Sequence, residues 1–189
     1  IVNDNPYVML YSDHIRSIFQ NENAKEVCLV LNSLSKSHNM AGWRLGWVAG
    51  HQNYIKTILK VKSNMDSGMF LPIQKAAIKA LELSDSWYKD LNSTYANRRA
   101  LAFKIMNALG CTFDTSQEGL FVWGKIPKNI KSASGWVDHI INEANVFLTP
   151  GFIFGTNGER YLRISLCAND ELLRESLNRI QQSNLDMEV

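Results

Sequence analysis

A single lysine stands among small and hydroxyl-bearing residues in the stretch SLSKSHNMAGWRLGWVAG, which runs from Ser33 to Gly50. A lysine that acts as a nucleophile must be deprotonated part of the time and must be accessible to a bulky partner. The small residues on both sides of Lys36 would give that access. Lys36 is therefore the leading candidate for covalent chemistry in this chain.

The residues around this lysine have the chemistry of a phosphate-binding site. Ser33 and Ser35 supply hydroxyl donors, and Arg44 supplies a guanidinium that stays positively charged at physiological pH. Gly42 and Gly46 would allow the backbone to turn tightly or to approach a ligand closely. A lysine nucleophile beside a phosphate site is what pyridoxal 5'-phosphate requires, because that cofactor is held through both its aldehyde and its phosphate.

The segments on either side of this stretch follow alternating strand and helix patterns. The run EVCLVLNS, which leads into the lysine, is continuously apolar, as is typical of a strand buried on both faces of a parallel sheet, and GWVAG predicts a further strand. Helices are predicted over NYIKTILKVKSNM, from Pro72 onward, and from Trp87 to Leu109. This alternation predicts an α/β fold, with Lys36 just after a strand.

The last part of the chain predicts a smaller α+β unit. Strands are predicted over CTFDT, GLFVWGKI, VFLTPG and RYLRISLCA, and helices near residues 134–145 and 170–182. Asn169 would cap the last helix, with Asp170 and Glu171 in its first turn. We expect this unit to bury a core of its own.

The composition is ordinary for a folded protein of one domain or two small ones, and it argues against several classes of partner. The chain has 189 residues, of which 46% are hydrophobic and 20% charged, and its formal net charge of +2 is too small to indicate a nucleic-acid or membrane partner. Three widely spaced cysteines and the absence of a signal-peptide pattern predict a cytoplasmic location with reduced thiols. The histidines show no metal-ligand spacing, so no metal is predicted, and His38 could at most line the site.

Three motifs, in this order, resemble the class I/II aminotransferases, which are fold-type I pyridoxal phosphate enzymes. DNPY near the start resembles the family's Asp-x-x-Tyr at a strand end, SLSKSHNMAGWRLG is similar to its cofactor-attachment motif, and RYLRISL resembles its late arginine-containing strand. The resemblance covers essentially the whole chain. It implies part of a large domain with a mostly parallel sheet, a small α+β domain, and transfer of an amino group between an amino acid and a 2-oxo acid.

The resemblance implies a role for each matching residue near the cofactor. Lys36 would hold pyridoxal 5'-phosphate covalently and then carry a proton between the substrate and the cofactor. Asp4 would pair with the pyridinium nitrogen and keep it protonated. Tyr7 would donate a hydrogen bond to the phenolic oxygen of the cofactor.

The remaining roles concern two anions, the cofactor phosphate and the substrate carboxylate. Ser33 and Arg44 match the phosphate ligands of the family, and Ser35 is a weaker candidate for the same task. Arg163 resembles the arginine that binds the substrate α-carboxylate through a two-pronged guanidinium, for which lysine would be a poor substitute. The nearby Arg160 leaves the register of that strand open.

The resemblance also implies how the chain is divided. Residues 1–83 would be the C-terminal part of the cofactor-binding large domain, residues 84–109 a long linking helix, and residues 110–189 a small C-terminal domain. The family's phosphate-binding loop, ring-stacking aromatic residue and Asn-Pro-x-Gly motif have no counterpart here. The chain is therefore expected to be the C-terminal half of such an enzyme, inactive by itself. The whole protein is expected to be a homodimer, as in the family.

Other functions stay open on the sequence alone. The same fold and cofactor also serve lyases and decarboxylases, although Arg163 argues mildly against decarboxylation, in which the carboxylate must leave. A transcriptional regulator with an aminotransferase-like domain is a further alternative. The sequence does not identify which amino acid would be the substrate.

Overall fold

The computed structural model describes residues 1–10, 17–183 and 185. The chain folds into two compact units, Ile1–Asp90 and Leu91–Val189, which we call the N-terminal and C-terminal units. The boundary between them falls within one continuous helix. The division into residues 1–83, 84–109 and 110–189 stays a prediction.

The described strands of the N-terminal unit form one sheet in the order β1-β2-β3. They are β1 (Val2–Asp4), β2 (Leu29–Ser33) and β3 (Gly46–Gly50). β1 and β2 are parallel, whereas β2 and β3 are antiparallel. The resemblance implied a mostly parallel sheet; here the connection from β2 to β3 contains only short turns and returns the chain beside β2, which gives the antiparallel pair.

Helices of this unit lie between the strands and after the last of them. They are α1 (Ala24–Val27), α2 (Leu34–Ser37), α3 (Gln52–Met65) and α4 (Leu71–Leu81), with short 3-10 turns at Ile18–Gln20 and Ala41–Trp43. Leu34 of α2, Leu45 and Ala77 of α4 form a small buried cluster. The helix predicted from Pro72 onward thus packs, through Ala77, against the turn that carries Lys36.

The burial predicted for β2 is wrong in one respect. Its residues are half-buried or exposed, and Leu31 is 36% exposed. A continuously apolar run indicates a strand that other layers can cover on both faces, but the run does not specify those layers.

The C-terminal unit contains an antiparallel sheet in the order β4-β6-β5 with helices beside it. Its elements are β4 (Phe121–Lys125), α6 (Ala133–Ala144), β5 (Thr149–Pro150), β6 (Tyr161–Ser165) and α7 (Asp170–Gln182), with 3-10 turns at Gly151–Phe154 and Thr156–Gly158. Leu162 and Ile164 of β6 are buried in a core that includes Trp136 of α6. Asn169 caps α7 as predicted, since its side chain accepts from the backbone N–H of Leu172 at 2.8 Å.

Two strands predicted in this unit are shorter than expected. CTFDT contributes only an isolated bridge between Thr112 and Lys125, and VFLTPG contributes only Thr149–Pro150. The side chain of Asp114 accepts hydrogen bonds from the backbone N–H and the hydroxyl of Ser116, both at 2.8 Å. This local turn takes the chain away from the sheet after one bridge. None of the helices among the described residues is both long and apolar enough to cross a membrane.

A buried arginine ties the long helix α5 (Asp85–Ala108) to the loop before β4. Arg99 is 1% exposed, and its guanidinium donates hydrogen bonds to the backbone carbonyls of Gln117 and Gly119. We expect Arg99→Ala to lower the free energy of unfolding by about 3 kcal/mol, because two charge-assisted bonds are lost. Urea denaturation measures this change. Arg174→Ala, on the exposed surface of α7, should change stability by less than about 0.5 kcal/mol, and equal losses in the two variants would contradict the expectation.

Candidate active site

Lys36 lies on a single helical turn that is fixed at its start. Ser33 ends β2 and caps α2, since its Oγ accepts from the backbone N–H of Ser35 at 3.4 Å. Leu34 is fully buried, and its N–H donates to the carbonyl of Leu45 at 3.3 Å. We call residues 33–40 the lysine turn. Its first residues are thus held by the sheet and by the core beneath it.

Asp4 and Tyr7 reach the same sheet edge from β1. Because β1 and β2 are parallel, their carboxyl ends lie at one edge, and Asp4 pairs with Leu31, two residues before Ser33. The Nζ of Lys36 lies 5.9 Å from the centroid of the Tyr7 ring. The structure therefore brings Tyr7 over the lysine and places Asp4, which is exposed, at the end of the neighbouring strand.

Arg44 reaches this edge from β3. Since β3 runs antiparallel to β2, its amino end lies beside the carboxyl end of β2, and Gly46 pairs with Ser33. Arg44 has a left-handed backbone (φ 51°, ψ 45°), is exposed, and its Nη1 donates to the carbonyl of Ala41 at 2.8 Å. A side chain at Gly46 would place its Cβ 2.8 Å from the carbonyl oxygen of Asn32, so glycine is required there, whereas the surroundings of Gly42 are open.

The side chains at this edge form a donor set that fits pyridoxal 5'-phosphate. A primary amine (Lys36) can bind an aldehyde, and a carboxylate (Asp4) can bind a pyridinium N–H. Hydroxyls on the turn and the Arg44 guanidinium are the donors that a phosphate prefers. The chemistry of the edge therefore agrees with the cofactor that the sequence indicates.

His38 closes the lysine turn and has more contacts than its sequence position suggests. It is 7% exposed, its Nδ1 lies 2.8 Å from Ser37 Oγ, and its Nε2 lies 2.9 Å from Tyr88 Oη. The ring also stacks on Trp87, with centroids 5.7 Å apart. Burial lowers the pKa of His38, and a backbone hydrogen bond at Ala80 opposes that change only in part. Because its partners lie fifty residues along the chain, no spacing pattern identifies them.

Arg163 lies in the C-terminal unit, on the half-buried face of β6. Its Cζ is 4.3 Å from the ring centroids of both Phe121 and Phe154, and its buried Nε has no hydrogen-bond partner among the described residues. The neighbouring residues Leu162 and Ile164 point into the core. Strand alternation thus places Arg163 on the face away from the core.

Arg160, the alternative to Arg163, donates hydrogen bonds to backbone carbonyls. Its Nη1 donates to the carbonyls of Ile130 and Lys131, the latter at 3.0 Å, and its Nη2 donates to the carbonyl of Pro127 at 2.6 Å. These bonds hold the loop before α6. Of the two arginines, Arg163 is the one whose guanidinium packs between aromatic rings and not against carbonyl oxygens.

Comparison with known proteins identifies the family to which the chain belongs. The sequence profile of the family described as aminotransferase class I and II matches residues 2–180. The chain belongs to the class I and II aminotransferase family. Among solved structures, it superposes on apo-BacF from Bacillus subtilis with a TM-score of 0.87 and 32% identity, over 98% of this chain and 48% of that chain. An aminotransferase from Staphylococcus aureus gives a TM-score of 0.84 at 32% identity, over 96% and 48%. The predicted fold-type I α/β class is therefore confirmed.

Curated relatives with similar sequences are named LL-diaminopimelate aminotransferase. The protein of Oleidesulfovibrio alaskensis is 39% identical over 183 residues, which is 95% of this chain and 47% of that protein. The protein of Gloeobacter violaceus is 34% identical over 190 residues, which is 100% of this chain and 48% of that protein. The chain thus spans about half the length of the curated relatives it matches.

Proposed function

We propose that the protein containing this chain is a pyridoxal phosphate-dependent aminotransferase, which moves an amino group between an amino acid and a 2-oxo acid. The observation that carries the proposal is the position of Lys36 on a capped turn, with Tyr7 over its Nζ at 5.9 Å. Family membership supports the same reaction class. When bound, the cofactor supplies an electron-withdrawing ring that stabilises negative charge at the substrate Cα.

The chain's own residues would divide the remaining tasks. In this proposal, the Nζ of Lys36 binds the cofactor and afterwards moves the proton at the substrate Cα. Asp4 holds the proton on the pyridine nitrogen, and the Tyr7 hydroxyl orients the ring by a hydrogen bond. The position of Asp4 and Lys36 at the carboxyl ends of adjacent parallel strands supports this division.

The phosphate of the cofactor would be bound by Ser33, Ser35 and Arg44. Ser33 pairs with Gly46, which lies two residues after Arg44. This pairing supports a shared phosphate site for Ser33 and Arg44. Ser33 Oγ accepts a hydrogen bond from the backbone N–H of Ser35. The hydrogen of the same hydroxyl would donate to the phosphate. Ser35 stays the weaker candidate.

Arg163 would bind the substrate α-carboxylate through its guanidinium edge. The rings of Phe121 and Phe154 cover its faces at 4.3 Å, and its buried Nε has no hydrogen-bond partner among the described residues. A planar carboxylate approaching along the edge of the guanidinium would satisfy it.

Arg163→Lys is expected to raise KM for the amino acid and to lower kcat, with kcat/KM about 100-fold lower, because a point charge cannot form the two-pronged bond. Steady-state kinetics of the full-length protein measures both constants. Arg160→Lys should instead lower the free energy of unfolding while KM stays the same. If Arg163→Lys reduced turnover equally for amines that lack a carboxylate, Arg163 would be only a structural residue.

The reaction class is tested by the products that the full-length, cofactor-loaded protein forms. An aminotransferase converts the donor to its 2-oxo acid and forms one new amino acid for each donor consumed. A decarboxylase would release carbon dioxide and an amine, a lyase would release a fragment of the side chain, and a regulator would bind DNA without turnover. LL-diaminopimelate, which appears in the relatives' names, is the first donor to test.

Homodimer formation and cytoplasmic location stay predictions, as does the inactivity of the 189-residue chain alone. Sedimentation of the full-length protein at micromolar concentration tests the dimer.

Cys28 and Cys111 are buried, and burial raises the pKa of the Cys111 thiol to about 12. Cys111 is therefore a core residue, and its thiol does not form the thiolate that a nucleophile requires.

A further inference from the structure

We infer that His38 is a positioning residue for Lys36: its buried imidazole, bonded to Ser37 and to Tyr88, fixes the end of the turn that carries the lysine. The inference rests on the proposed function, in which Lys36 binds the cofactor. It goes further by assigning a task to a histidine that touches neither the cofactor nor the substrate in that proposal. Tyr88 and Trp87, on the first turn of α5, hold the imidazole of His38 in place.

The lysine turn needs an anchor at its end because α2 is too short to be stable alone. A helix of four residues has almost no internal hydrogen bonds to offset the cost of ordering its backbone. Ser33 and Leu34 hold its beginning. Its end is followed at once by Asn39, whose backbone is left-handed (φ 54°), so the right-handed helix cannot continue past His38.

His38 supplies that anchor through both its backbone and its side chain. Its N–H donates to the carbonyl of Leu34 at 3.2 Å, which closes the helical turn. Its ring then joins the turn to α5 through the 2.9 Å contact between Nε2 and Tyr88 Oη and through the stack on Trp87. Movement of the lysine turn away from α5 would have to break these contacts.

Both ring nitrogens of His38 have hydroxyl partners, so the imidazole is fully satisfied in either neutral tautomer. Ser37 Oγ and Tyr88 Oη can each donate or accept, and one nitrogen of a neutral imidazole donates while the other accepts. Removal of the Tyr88 hydroxyl would take one hydrogen bond from the buried imidazole, which would keep Ser37 Oγ and the backbone at Ala80 as partners. The lysine turn, which contains His38, would be destabilised most.

Tyr88→Phe tests the inference, because it removes only the hydroxyl that faces His38 Nε2 and keeps the ring. In the cofactor-free full-length protein, we expect amide hydrogen exchange of residues 35–40 to become about tenfold faster, as for the loss of one hydrogen bond. In the loaded protein, we expect trapping of the cofactor at Lys36 by borohydride to slow by a similar factor. His38→Gln, whose carboxamide can still bond a hydroxyl, should be less affected than His38→Leu.

The matched control is Tyr54→Phe, at another histidine–tyrosine pair among the described residues of the N-terminal unit. Tyr54 is 43% exposed, and its ring lies 5.9 Å from that of His51. This variant should leave both readouts unchanged. If Tyr88→Phe sped exchange equally throughout the unit and left trapping at Lys36 unchanged, His38 would be a general stability residue and the inference would be overturned. If the wild-type protein trapped no cofactor at Lys36, the proposed function would fail, while local exchange would still decide whether His38 fixes the turn.

Discussion

Replacement of Lys36 by alanine is expected to abolish amino-group transfer by the full-length protein, with kcat at least about 1,000-fold lower. The variant lacks both the amine that would bind the cofactor and the base that would move the proton at the substrate Cα. The fold should remain, because Lys36 is half-buried and the lysine turn is held by Ser33, Leu34 and His38. Steady-state kinetics measures the loss, and urea denaturation checks the fold.

The control for this variant is Lys25→Ala, which removes an exposed lysine from α1, a helix of four residues in the same unit. Its kcat should stay within twofold of the wild-type value, on the order of experimental scatter. A Lys36→Ala protein that kept a tenth or more of the wild-type kcat would show that another group moves the proton.

Replacement of Asp4 by asparagine is expected to lower kcat by about 100- to 1,000-fold, while the protein still binds the cofactor at Lys36. Asparagine keeps the shape of the side chain but loses the negative charge that would hold the proton on the pyridine nitrogen. Without that proton, the ring would be a poorer acceptor of electrons from the substrate Cα. The loss should appear in kcat and in kcat/KM alike, because the interaction is strongest in the transition state.

Glu22→Gln serves as the control for Asp4→Asn, since it removes one exposed carboxylate from the same unit. It should leave both kinetic constants unchanged. Near-normal turnover in Asp4→Asn would mean that Asp4 is not the partner of the pyridine nitrogen, whatever its position beside β2.

The placement of candidate site residues that are adjacent in sequence could be predicted. Ser33, Lys36 and Arg44 lie within one short stretch, and the structure places that stretch on a turn at the sheet edge. The fold class followed from the alternation of strands and helices and from three ordered motifs. These features depend on local chemistry and periodicity, which a sequence displays directly.

Features that depend on contacts between distant residues could not be predicted. The sequence pattern of His38 does not show its bond to Tyr88, fifty residues away. Likewise, the sequence does not show that Arg160 donates to loop carbonyls, nor that aromatic rings cover Arg163. The partial exposure of β2 also depends on which layers cover it, and an apolar run does not specify those layers.

Borohydride reduction of the full-length protein with pyridoxal 5'-phosphate, followed by peptide mass spectrometry, tests the central claim most directly. Reduction makes the covalent link between the cofactor and a lysine permanent, so the labelled residue can be identified. We predict one adduct, on the peptide that contains Lys36 and flanking residues of the lysine turn. An adduct on another lysine, or no adduct at all, would contradict the proposed function.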